Sequence, residues 1–138
     1  MDAVTITDSL AGVGSFLGYF GAAVLLLVLF TLIYGRVTPY PEFRLIREGK
    51  VAPAVSFTGA VLGFVAPLAS AISHSIALLD MIVWAVVALV IQIAVFLVLR
   101  LIFADLCGKI ADDGLAAAIL LGGASLAVGL LNAACMTY

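Results

Sequence analysis

Few side chains in this sequence could do chemistry. The run Ser73-His74-Ser75, followed by Asp80, brings hydroxyls, a base and a carboxylate into one short stretch. A hydrolase needs its serine on a strained elbow, and no such motif surrounds these residues. His74 has no second ligand nearby in sequence, so a histidine at headgroup level accounts for it better than a metal site. The two cysteines, Cys107 and Cys135, form neither a C-x-x-C pair nor a His/Cys spacing that would hold zinc. Cys135 suits a small apolar residue at a helix end better than a reactive thiol. No catalytic, cofactor-binding or metal-ligating set emerges, and the chain does not read as an enzyme.

The other polar candidates are Gln92 and Asn132, with the hydroxyls of Ser56, Thr58, Ser70 and Ser125, all inside long apolar runs. No Asp, Glu, Lys or Arg accompanies them there, which argues against a proton-coupled pump or a carrier of charged substrates. Each amide needs partners. A structural hydrogen bond between helices is the simpler use, and lining a hydrated path is the alternative. By helical rise Gln92 lies roughly 18 Å inside the outer end of its span and Asn132 roughly 9 Å, too far apart to bond directly within one chain.

The elements that position these residues are membrane spans. About 20 apolar residues cross a hydrocarbon core of roughly 30 Å. That length fits four times, over Ala11 to Tyr34, Val51 to Ser73, Met81 to Leu99 and Gly114 to Met136. With 66% hydrophobic and 10% charged residues, the chain could not hide its apolar surface in water. The predicted fold class is an all-α membrane protein with four transmembrane helices. Residues 1–10 form an outward-facing N-terminal segment with Asp2 and Asp8 but no Lys or Arg, unlike a signal peptide, so the first span is expected to stay as an anchor. The net charge of -2 and the scattered basic residues exclude a nucleic-acid partner.

Every Lys and Arg falls in the first and third connections: Arg36, Arg44, Arg47 and Lys50 in the loop 35–50, Arg100 and Lys109 in the loop 100–113. Basic short loops stay cytoplasmic, so both termini are expected on the periplasmic side. Trp84 and Tyr138 suit the outer interface, Tyr34 and Tyr40 the inner one. The stretch "TPYPEFRLIREGK" sets Phe43, Leu45 and Ile46 among Arg44, Arg47 and Lys50, which fits a short piece lying at the headgroup surface. Its charges either obey the positive-inside rule alone or also dock a cytoplasmic partner.

Sliding the sequence by 64 positions pairs Arg36 with Arg100, Gly59 with Gly123, Ala60 with Ala124 and Glu48 with Asp112. The chain therefore reads as two parallel two-helix repeats, 11–75 and 76–138, about an axis along the membrane normal. Small residues let helices approach where lipid gives no hydrophobic incentive to associate. Gly59 and Gly63 share one helix face, as do Ser125 and Gly129, and with Gly123 they are the expected packing positions, although glycine is common in membrane helices anyway. Pro67 has no N–H for the carbonyl of Gly63 and is expected to kink its helix, whereas Pro53 falls in a first turn, where the missing donor costs nothing.

The segments "YGRVTPYPEFRLIREGKVAPAVSFTGAVLGFVAPLASAI" and "WAVVALVIQIAVFLVLR" and the ending "NAACMTY" resemble the YjfL family of duplicated, four-span bacterial inner-membrane proteins, over roughly Leu17 to Tyr138. The resemblance implies inner-membrane location and topology, and a link to envelope stress with a cytoplasmic membrane-stress partner. The family's activity is unknown, so no catalytic residue and no cofactor carries over. The functional expectation is a non-enzymatic homo-oligomeric scaffold in the lipid bilayer. The alternative is an oligomeric channel or transporter for a small ion or solute.

Overall fold

The computed structural model describes residues 3–136, so the expected anchor Tyr138 lies outside the described residues. Among the described residues the only regular structure is helix: α1 (Ala3–Val37), α2 (Glu42–Arg47), α3 (Val51–His74), α4 (Leu78–Ile102), α5 (Leu106–Ala111) and α6 (Leu115–Cys135). The four long helices are each long and apolar enough to cross a membrane, which makes this an all-α membrane protein with four spans.

Residues 3–10 are not separate from the first span. Helix runs from Ala3 straight into α1, whose 35 residues reach about 52 Å at 1.5 Å per residue. No proline interrupts the lead, and Ser9 Oγ donates to the Thr5 carbonyl at 3.0 Å, an in-helix bond that spares its hydroxyl any outside partner. Most of the outer half of α1 touches no other part of the chain, leaving Leu10, Phe16, Leu17 and Phe20 exposed, as suits side chains solvated by lipid.

Helices α3 and α6 lie side by side and run parallel. Gly59 meets Gly122, Gly63 meets Ser125 and Gly129, and Ser70 Oγ donates to the Ala133 carbonyl at 3.5 Å, so contacts advance together along both helices. A Cβ added to Gly59 would collide with the Gly122 backbone, and one on Gly129 with that of Gly63. Such contacts are open only to glycine, and they let dispersion hold two apolar helices together. Pro67 stays inside a continuous, buried stretch of α3, and the Gly63 carbonyl that it deprives of a donor faces Gly129.

The two short helices end alike. In α2, Gly49 N–H donates to Ile46 and Lys50 N–H to Leu45; in α5, Asp113 N–H donates to Ile110 and Gly114 N–H to Lys109. Both are Schellman ends, which need a left-handed residue past the helix, here Gly49 at φ 87° and Asp113 at φ 66°. Each of these bonds has its counterpart 64 residues along. Two polar contacts fasten this end to the core. Lys50 Nζ donates to the Ala111 carbonyl at 3.2 Å, and Asp113 Oδ1 accepts from Ala52 N–H at 2.8 Å, capping α3 where the orphan N–H groups and helix dipole favour an anion.

Candidate functional site

The packed core ends, toward α2 and α5, in an aromatic group. Phe30 stacks on Phe64 with ring centroids 4.5 Å apart, and Tyr34 lies edge-on to Phe96 at 5.8 Å. Beyond these rings sits a set of buried oxygens. Tyr34 projects from the last turns of α1, Thr38 and Tyr40 from the turn that follows, Glu42 from the start of α2 and Ser56 from α3. All five residues are buried, with Tyr34 and Ser56 at 0% and Glu42 at 2% exposure.

Local sequence explains how an acid comes to be inside. Helix α2 turns one face to the core, and residues three apart share a face. Glu42 and Leu45 are its buried residues, while Phe43, Arg44 and Arg47 face outward. Pro41, which has no N–H to give, stands at the N-cap directly before the buried Glu42.

Electrostatically the site is one buried carboxyl with no basic side chain paired to it among the described residues. Burial pushes the Glu42 carboxyl up to about 8, and the neighbouring Tyr40 and Thr38 hydroxyls, which favour the anion, offset that only in part. No hydrogen bond of ordinary geometry reaches either carboxylate oxygen, and the Tyr34 and Tyr40 hydroxyls are likewise buried without partners. Burial first, and the Glu42 charge second, push the Tyr40 phenol well above its usual range. Thr38 Oγ1 donates to the Tyr34 and Gly35 carbonyls at 3.2 Å each, and Ser56 Oγ to Pro53 at 3.1 Å, so both hydroxyls keep lone pairs for another partner. Nearby Cys107 has its thiol pushed up by burial, against the pull of Arg100, and is therefore no activated nucleophile.

Sequence reasoning passed over this site. The sequence places "TPYPEFRLIREGK" at the headgroup surface and gives Glu42 no role there. A signal was present: the residue 64 positions beyond Glu42 is Leu106, an apolar residue at the same place in α5.

The residues singled out from sequence fall into several places. Gln92 is buried and donates to the Ser125 carbonyl at 3.0 Å, while its own Oε1 and the Ser125 hydroxyl have no partner. Asn132 is half-buried further along α6, its Nδ2 unpartnered. The two amides are not bonded to each other. Gly59, Gly63, Ser125 and Gly129 lie in the α3–α6 contact. Gly123 does not: its place there is taken by Gly122, and Gly123 faces open space. One residue turns a helix by about 100°, so the neighbouring glycine points away. Arg36, Arg44, Arg47, Arg100 and Lys109 are exposed, and Lys50 is half-buried through its bond to Ala111. His74 Nδ1 lies 2.9 Å from the Ser70 carbonyl in its own helix. Both cysteines are free, and among the described residues no three His, Cys, Asp or Glu side chains cluster as a metal site would require.

Comparison with known proteins gives the chain relatives. It is 40% identical to the UPF0719 inner membrane protein YjfL of Escherichia coli K12 over 133 residues, 96% of this chain and 98% of the relative. It is 38% identical to the UPF0719 transmembrane protein YshE of Bacillus subtilis over 68 residues, 49% of this chain and 51% of that protein. No solved structure matches it. Residues 8–136 match the family described as Domain of Unknown Function (DUF350), and the chain belongs to that family.

Proposed function

We propose that this inner-membrane protein is a non-enzymatic, oligomeric scaffold whose α2/α5 end faces the cytoplasm and docks an acidic partner protein. The observation that carries the reading is the build of that end. Lys50 and Asp113 pin both connections to the core, while Arg36, Arg44, Arg47, Arg100 and Lys109 stay exposed on it. A pinned surface loses little freedom on binding, which favours docking. A Cβ added to Gly14, Gly18 or Gly21 of α1 or to Gly123 of α6 would meet nothing within 4 Å beyond its own stretch of helix, so these positions are open to close approach by another copy. The 64-residue correspondence of the Schellman ends supports a duplicated chain with its axis along the membrane normal. The link to envelope stress rests on family resemblance.

The test is photo-crosslinking in living cells from probes at Arg44, Arg47 and Lys109, with Ile76 as the control at the far end. The scaffold reading expects a discrete protein adduct from the first three and none from Ile76. Lipid adducts alone at all four positions would discard docking and leave the basic residues as topology signals.

The conduit reading keeps one supporting observation, the buried Glu42 beside unpartnered hydroxyls. Against it, backbone contact at Gly59–Gly122 and Gly63–Gly129 leaves no passage between α3 and α6, so a path would have to run between copies.

A further inference from the structure

We propose that the oxygens of Glu42, Tyr34, Tyr40, Thr38 and Ser56 form a binding site for one monovalent metal cation of sodium size. The inference is independent of the docking reading and starts from unmet valence. Buried polar atoms in folded proteins nearly always have partners, and each exception asks for an explanation such as an ion. Four oxygens without a hydrogen bond of ordinary geometry are neighbours here: both of Glu42 and the hydroxyls of Tyr34 and Tyr40. A cation accepts lone pairs from all of them at once. It also leaves each phenolic O–H free to turn toward the carboxylate.

Charge selects the ion. A buried carboxyl ionises only beside a positive partner and otherwise keeps its proton; no basic side chain among the described residues supplies that partner, so a bound cation would take the proton's place. Arg44 is paired with Glu48 at 3.8 Å and Arg36 is exposed. The groups facing Glu42 are neutral: Tyr34 from α1, Thr38 and Tyr40 from the connection, Ser56 from α3 and Cys107 from α5. One carboxylate balances one positive charge, whereas calcium sites gather several carboxylates and transition metals take nitrogen or sulfur. Hydroxyl and carboxylate oxygens are hard donors suited to an alkali ion. All five residues are buried, which favours a bare ion over a bulky organic cation. A surface cleft lined by Leu32, Gly35, Arg36, Phe43 and Arg44 reaches Glu42 from outside. The two arginines lining it are exposed, so water and salt screen their repulsion.

The second half of the chain supplies the comparison. At the positions 64 residues on from Tyr34, Thr38, Tyr40, Glu42 and Ser56 stand Val98, Ile102, Ala104, Leu106 and Leu120. The same short helix with the same ending forms there without a single polar side chain of the set. The architecture therefore does not require these oxygens, and a ligand does.

The test compares thermal unfolding of the purified full chain in lipid nanodiscs at one pH, with choline chloride replaced stepwise by sodium chloride at constant ionic strength. Once sodium exceeds its Kd roughly tenfold, the midpoint should rise on the order of 5 °C. Glu42→Gln should remove the response, Tyr34→Phe should weaken sodium binding about tenfold while still filling its place, and Arg47→Gln, at an exposed residue outside the cleft, should leave it intact. Sodium NMR on the wild type reads binding directly and does not depend on any variant folding. No sodium-dependent shift and no line broadening in the wild type overturns the site, as does a Glu42→Gln protein that responds like the wild type. An equal response to potassium overturns the sodium-size assignment.

Discussion

Glu42 and Leu106 occupy the same place in two short helices, and only one of them carries a carboxyl into the core. The consequence is a pH dependence of unusual sign. Folded Glu42 has its pKa raised from 4.5 to about 8, so between those values the unfolded chain has lost its proton while the folded chain still holds it. Stability is then flat below about pH 4.5, falls as pH rises toward 8 and levels off above. In sodium-free buffer, urea unfolding of the wild type should show this decline by a few kcal/mol, and Glu42→Gln should flatten it. A wild-type curve without slope in that window would place Glu42 in contact with solvent. Gln92 makes a second prediction. Its bond to the Ser125 carbonyl joins α4 to α6, so Gln92→Leu should cost on the order of 0.5–2 kcal/mol, read by unfolding in detergent. Sequence did reveal that Gln92 needed a partner, because an amide at depth stands out against apolar neighbours. It did not reveal the partner, which is a backbone carbonyl and carries no side-chain signal. Glu42 stayed hidden for a related reason: among arginines at a loop, an acid looks solvated until the fold turns it inward.

The contact between α3 and α6 holds the elements together, and it depends on glycines that admit no substitute. Repeat alignment equates Gly59 with Gly123, yet Gly59 touches Gly122. Alignment fixes the height of a residue along its helix. The rotation that decides whether it faces the neighbour comes from packing, which a gapless slide of the sequence cannot contain. Small-residue spacing marked a packing face on each of the two helices, and the structure shows that they pack on each other and through which glycines. Gly122→Leu should accordingly destabilise the protein by about 3 kcal/mol or more, because backbone on the facing helix cannot move aside for it. Gly123→Leu should leave the protomer within about 0.5 kcal/mol of wild type. Thermal unfolding in detergent ranks the two variants, and equal losses would mean that α6 is rotated from the position described. Oligomer size, measured in parallel, separates roles further: if Gly123→Leu breaks the assembly while sparing the protomer, Gly123 touches a second copy. The four spans themselves were legible from apolar length, since lipid selects that feature directly. The start of α1 was not, because a polar lead such as Thr5 to Ser9 can continue a helix when its hydroxyls bond within it.

At the scale of the whole molecule, the basic residues and the chain path predict an orientation that labelling can test. Helices α3 and α6 run parallel and the six Lys and Arg residues gather at the end that carries α2 and α5. By the positive-inside rule that end is the one proposed to face the cytoplasm. An impermeant thiol reagent on intact cells should then modify exposed Cys135 and spare Cys107, and the reverse pattern would invert the molecule. Whether the assembled protein conducts is a separate matter, and the same geometry speaks to it. Within one chain the centre is closed by backbone contact at Gly59–Gly122 and Gly63–Gly129, and the aromatic rings of Phe30, Tyr34, Phe64 and Phe96 separate the Glu42 oxygens from Gln92. A cation held at Glu42 has apolar rings ahead of it, and a dewetted constriction of that kind blocks passage. Liposomes containing the wild type should therefore show no sodium flux above empty vesicles, while sodium still raises thermal stability. Removing the plug offers the contrast: Phe30→Ala together with Phe96→Ala opens space between the two polar groups. Flux in the wild type that vanishes in Glu42→Gln, with oligomer size unchanged, would replace the scaffold with a conduit and make the cation site its inner mouth.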